Sequence, residues 1–160
     1  MPHVLFVCTA NICRSPVAEG LLRQRLQERG LAGWQVSSAG TWAMQPRSAS
    51  ENSVIVMAAQ GIDIRAHRAQ MVSGELLATA DLVLCMETGH AEALQVEFPD
   101  HAGKIYLLTE MVGRQYSISD PYGAPLPAYK SMANEVADLI DRGLENIVVL
   151  AQQNALARPG

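Results

Sequence analysis

A chain of 160 residues with 49% hydrophobic and 18% charged side chains has the make-up of one ordinary globular domain, long enough to bury about 70% of the surface its unfolded form exposes. Twelve basic against 16 acidic residues leave a formal net charge of −4, and the basic residues form no run, which excludes a general nucleic-acid surface, an anionic-membrane surface and a polybasic tail. No apolar stretch approaches the ~20 residues of a membrane span and the first residues lack a signal-peptide pattern, so a cytoplasmic protein is expected, and in that compartment three cysteines read as free thiols rather than a disulfide framework.

Residues 3–7, His-Val-Leu-Phe-Val, are short, apolar and partly β-branched and predict a buried strand. A loop follows, then a helix with Ser15 as N-cap, Pro16 at the first helical position, and Ala18, Leu21, Leu22 and Leu26 on one face; Gly30 stops it after about residue 29. Residues 34–38 alternate as a second strand, and 40–46 read as a loop. Ser50 caps a helix to about residue 60, with Val54, Met57 and Ala58 inward and Gly61 ending it. Residues 81–86 predict a fully buried strand, 88–98 a helix ended by Pro99, and 104–108 a further buried strand. The last helix runs from about residue 127 to 153, with Ala133, Val136, Ala137, Ile140, Leu144, Ile147 and Val148 at helical spacing and Gly143 as an unfavourable interior residue; 1–154 form the domain and 155–160 a frayed tail. This alternation predicts an α/β domain, a parallel sheet with helices on both faces, and ligands at the carboxyl ends of its strands, where Cys8 falls.

The loop between the first strand and helix carries the chemistry. Cys8 and Arg14 bracket Thr9, Ala10, Asn11, Ile12 and Cys13, and Ser15 follows. First-turn amides of a helix lack internal partners and carry the positive end of its dipole, so an anion is welcome beside them. A cysteine in that field and near an arginine favours the thiolate, the attacking form of sulfur. Arg14 offers a planar fork that fits two phosphate oxygens. Asn11 tolerates the left-handed backbone that a tight loop of inward amides needs. Transfer of a phosphoryl group to sulfur expels an oxygen that needs a proton. Asp120, in Asp120-Pro121-Tyr122-Gly123, has the chemistry to supply it and then to activate water, although the tetrapeptide by itself also reads as a plain turn.

The string Cys8 to Pro16 closely resembles the signature loop of the low-molecular-weight protein tyrosine phosphatases; Asn11, Ile12, Cys13, Arg14, Ser15 and Pro16 match, whereas Thr9 and Ala10 depart from the commoner Leu-Gly pair. The resemblance implies a single-domain, three-layer α/β/α fold of the phosphatase-I, flavodoxin-like kind, its four parallel strands ordered 2-1-3-4. It implies a metal-independent phosphotyrosine-protein phosphatase with a cysteinyl-phosphate intermediate and no cofactor. Cys8 is then the nucleophile, Arg14 the phosphate clamp and Asp120 the general acid. Residues Thr9 to Ser15 form the phosphate loop, with Asn11 held by Ser38 and His67 and Ser15 supporting the Cys8 thiolate. Tyr122 falls on the rim beside the substrate ring, and Gly123 stands where many members place a second tyrosine. Trp42 reads either as a wall of the cleft or as a packing residue.

Cys13 reads either as a redox partner that shields Cys8 through a reversible disulfide or as a small buried filler. Cys85, within a predicted strand, only packs, and the scattered His3, His67, His90 and His101 show no metal-ligand spacing. Three other functions compete. A protein-arginine phosphatase shares the loop, but by the resemblance that branch has Thr at the position of Ile12. Arsenate reduction needs Cys85 to be mobile. A silent phosphate-binding module has no use for Cys8 paired with Asp120. The expected partner is a phosphotyrosine-containing protein, such as a bacterial tyrosine kinase, and the expected state a monomer or weak dimer.

Overall fold

The computed structural model describes residues 1–43 and 45–159; Met44, in the expected 40–46 loop, and Gly160, in the expected tail, lie outside the described residues. Four parallel strands, β1 (His3–Cys8), β2 (Gln35–Gly40), β3 (Leu82–Cys85) and β4 (Ile105–Leu107), form one sheet in the order β2-β1-β3-β4. Strict alternation divides the core. Val4, Phe6 and Cys8 of β1 with Leu82 and Leu84 of β3 face one cluster, while Leu5, Val7, Val83 and Cys85 face another. Against the first face pack α1 (Arg14–Glu28), α2 (Glu51–Ala58) and α5 (Leu126–Ala157); against the second pack α3 (Gly74–Thr79) and α4 (Thr88–Glu97). The result is the three-layer arrangement.

Several local expectations need correction. Ser15 is not the N-cap of α1: Cys13 holds that position without a side-chain bond, and Ser15 lies in the first turn with its hydroxyl turned to Cys8. Pro16 sits at the third helical position, still among the amides that have no partner in a helix. β2 begins after Trp34 and extends to Gly40, because Gly40 exchanges backbone bonds with the following chain, donating to Gln70 and accepting from Val72. In α2 the inner face is Ser53, Val56 and Met57; Val54 is only half-buried and Ala58 is exposed. The polar Ser53 faces inward because its hydroxyl donates to the Cys13 carbonyl.

α3 carried no readable signal, as six residues are too few for a period; the Ser73 hydroxyl caps it by accepting from the Leu76 amide. β4 stops at Leu107 because Leu108–Val112 coils into a 3-10 turn, with Glu110 accepting from the Leu107 amide. α5 continues through residues 155–157, which the sequence assigned to a frayed tail. Ala151 is buried, and Asn154 donates to the Asp81 carbonyl at 2.8 Å, which pins this last stretch to the sheet. Gly143, unfavourable by helix propensity, is required by packing: a Cβ there would lie 2.7 Å from Met111 Cβ and 3.2 Å from its carbonyl.

Candidate active site

Five carbonyls of the loop after β1 are claimed from outside it. Cys8 O accepts from the Thr41 amide, Thr9 O from the Trp42 amide and Ile12 O from the Ser50 amide. Asn11 O faces His67 Nε2 at 2.6 Å, and Cys13 O takes the Ser53 hydroxyl. The described peptide bonds are all trans, so a carbonyl pointing outward turns the next amide the opposite way. The amides of Thr9, Ala10, Ile12, Cys13 and Arg14 therefore face inward. Asn11, at φ 59°, makes the bend that lets neighbouring amides converge. Gly40 is needed just outside: a Cβ there would meet Thr9 O at 2.4 Å.

The Asn11 side chain is fully used. Its Nδ2 donates to Ser15 Oγ at 2.7 Å and Ser38 Oγ at 2.9 Å, and its Oδ1 accepts from the Gln70 amide at 3.0 Å. Ser38 in turn donates to Glu19 at 2.6 Å. Since Ser15 Oγ accepts from Asn11, its own proton is available to the Cys8 sulfur, 2.9 Å away.

Arg14 is 1% exposed. Nη1 donates to Ile118 O at 2.7 Å, and Nη2 forms an ion pair with Glu87 at 2.7 Å and a long contact with Thr9 Oγ1 at 3.4 Å. Its Nε is buried without a partner among the described residues. A buried cationic donor is costly to leave unspent, so this edge suits an incoming anion. Ile118 also explains how Asp120, distant in sequence, reaches the site. Its amide donates to Met86 O at the end of β3, and its carbonyl takes Arg14. Two residues on, Asp120 Oδ2 lies 3.5 Å from Arg14 Nη2, while Oδ1 accepts from the Tyr122 amide.

Cys8, Thr9, Ala10, Ile12, Cys13, Arg14, Asp120 and Tyr122 thus line one open cavity of about 220 Å³, together with Arg47. Trp42 lines a neighbouring cavity that shares Ala10 and Arg47 with the first. Burial pushes the Cys13 thiol up, against hydrogen bonds to Ser50 and Tyr129. Cys13 Sγ lies 3.6 Å from Tyr129 Oη, and the three cysteines are free thiols. Cys85 faces the opposite core from Cys8. Among the described residues no group of His, Cys, Asp and Glu is placed to hold a metal, and no helix is long and apolar enough to cross a membrane.

Sequence reading missed Glu87, His90, Arg47, Gln70 and the Ile118 carbonyl. Glu87 and His90 had one signal: they follow directly on a buried strand, at the end of the sheet where α/β ligands gather. His90 Nε2 lies 2.9 Å from Thr9 Oγ1 and 3.6 Å from Glu87 Oε2. Burial lowers its pKa, with Arg14 acting in the same direction and Glu87 and Asp120 opposing.

The sequence model of the family described as low molecular weight phosphotyrosine protein phosphatase matches residues 3–157. The "Probable low molecular weight protein-tyrosine-phosphatase EpsP" of Ralstonia nicotianae is 41% identical over 142 residues, 89% of this chain and 90% of that protein. A protein-arginine-phosphatase of Geobacillus stearothermophilus is 37% identical over 149 residues, 92% of this chain and 97% of its own. Among solved structures, a low molecular weight protein tyrosine phosphatase from T. tengcongensis superposes with a TM-score of 0.87 at 42% identity, covering 91% of this chain and 99% of that one.

Proposed function

Because this chain belongs to the low molecular weight phosphotyrosine protein phosphatase family, we propose that it hydrolyses phosphotyrosine in proteins through a phosphoryl group carried on Cys8. The observation that carries this reading is the ring of inward amides with the Cys8 sulfur and the unspent Arg14 Nε beside it. The amides and the guanidinium stabilise the charge spread over the phosphoryl oxygens in transfer. In the first step the Cys8 thiolate attacks phosphorus, a sulfur–phosphorus bond forms, the bond to the tyrosine oxygen breaks, and Asp120 gives that oxygen its proton. In the second step water attacks phosphorus, Asp120 takes the water's proton, and the thiolate leaves with the Ser15 hydroxyl donating to it. Tyr122, 62% exposed on the rim, offers a face to the substrate ring.

The relatives include arginine phosphatases. Ile12 lines the cavity here and adds no hydroxyl that would reach a guanidinium leaving group, which supports an aryl leaving group. Arsenate reduction through Cys85 is disfavoured, because that thiol is buried in the core on the other face of the sheet. A silent phosphate binder leaves the convergence of Cys8 and Asp120 on one cavity without purpose. Turnover of matched phosphotyrosine, phosphoserine and phosphoarginine peptides, with rapid quenching to capture the phosphoenzyme, tests the proposal. Preference for phosphotyrosine with label on Cys8 is expected; preference for phosphoarginine, or turnover without labelled cysteine, overturns it.

A further inference from the structure

One buried polar side chain faces the cradle without a part in these two steps. His90, in the first turn of α4, is 9% exposed, and its Nδ1 is buried with no partner among the described residues. That asymmetry favours the tautomer with its proton on Nε2. A proton on Nδ1 would be a buried donor with nothing to receive it, whereas on Nε2 it meets Thr9 Oγ1 at 2.9 Å, with Glu87 Oε2 standing beyond at 3.6 Å. Both oxygens also touch Arg14 Nη2, at 3.4 Å and 2.7 Å, and its third neighbour is Asp120 Oδ2 at 3.5 Å. A single ring nitrogen therefore stands beside the two nearer of that guanidinium arm's contacts.

We propose that His90 is a positioning residue of the phosphate site: by donating from Nε2 to Thr9 Oγ1, close beside the Glu87 carboxylate, it steadies oxygens against which Arg14 rests, so that the free Nε edge of the guanidinium stays turned to the anion. The inference rests on the reading of this cradle as a phosphate site and deepens it. Ile118 O anchors the other arm at Nη1. The plane of the guanidinium is thereby set at two points before any ligand arrives, and the anion meets a clamp already in orientation. The device acts on binding of the phosphoryl group in both ground and transition states, and only weakly on the chemical step.

The test compares His90→Leu, His90→Gln and Thr9→Val with the unaltered protein, measuring inhibition by inorganic phosphate, KM and kcat on an activated aryl phosphate, and Tm. His90→Leu is expected to weaken phosphate inhibition and raise KM by about 5- to 10-fold, with kcat changed less than about 3-fold. His90→Gln, which keeps a donor of similar reach, restores most of the loss. Thr9→Val removes the main acceptor with little change of shape and weakens phosphate by a similar factor, and it carries the test if His90→Leu does not fold. Phosphate inhibition and KM unchanged in His90→Leu and Thr9→Val, or loss in kcat alone, overturn the proposal. So does His90→Gln matching His90→Leu at equal Tm, which is the behaviour of a packing residue. An unaltered protein that neither binds phosphate nor hydrolyses the aryl ester refutes the phosphatase reading instead, so the two failures are distinguishable.

Discussion

The two ends of the sheet each hold a buried charge, and they treat it differently. At the amino end, Asp81 is 1% exposed; Oδ2 accepts from the His3 amide at 2.8 Å, and Oδ1 forms an ion pair with Arg158 Nε at 2.8 Å. Nearby, Lys104 donates to Ala80 O and Asn154 to Asp81 O. Each charge there meets a partner from the chain itself. At the carboxyl end, Arg14 is equally buried, yet its carboxylate neighbours Glu87 and Asp120 are 36% and 42% exposed, its Nε is unanswered, and the cavity begins at its edge. A buried ion closed off by its own chain is a fastening. One left incompletely paired beside an opening is a site.

The sharpest way to break this contrast is at Cys8. Cys8→Ser should lower turnover by roughly 10⁴-fold or more while the circular dichroism spectrum, Tm and phosphate binding stay near those of the parent; measurable hydrolysis at parental rate would make the carboxyl end another fastening. Next in size, Asp120→Asn should slow kcat by about 10²- to 10⁴-fold on esters with poor leaving groups and much less on activated ones. Leaving-group dependence of kcat is the measurement, and equal losses on both would remove the acid from Asp120.

The amino end should answer in the opposite way. Asp81→Ala is expected to cost about 1–3 kcal/mol by stranding the His3 amide and releasing Arg158, read as a Tm lower by roughly 2–4 °C for each kcal/mol, with kcat/KM unchanged. The smallest effect is in pH. Burial lowers the pKa of His3 from 6.5, with Arg158 and Lys104 acting the same way and the Thr79 hydrogen bond and Asp81 opposing. The unfolded chain therefore takes up this proton first as pH falls. The stability contributed by the neutral ring is whole above 6.5 and declines below it. His90 shares that direction. His3→Gln should flatten the fall of Tm between about pH 6.5 and 5; an unchanged slope would mean that His3 does not titrate within it.

The same contrast explains what could be read from the chain. β1 and β3 were legible because burial on both faces demands apolar runs such as Val4 to Val7. The loop from Cys8 to Ser15 was legible because its residues are contiguous, so its chemistry is written in one string. Glu87, His90 and Ile118 were not, since each matters through a single contact to a residue far away in sequence, and Ile118 acts through its carbonyl, which any residue possesses. Ser15 was misplaced for a related reason. Its type suits an N-cap, but tertiary contact gave its hydroxyl a sulfur instead. The fastening at Asp81 was equally hidden, because an aspartate before a strand carries no mark of an arginine more than seventy positions on.

Gly40 sets the mechanical tolerance of the whole assembly. It sits at the lip of β2 opposite Cys8, with room for a hydrogen but not for a methyl group against Thr9 O. A side chain there would act as a wedge, levering the wall of the anion ring away from the strand that supports it. Any change of substrate preference made from the β2 side would meet this limit first.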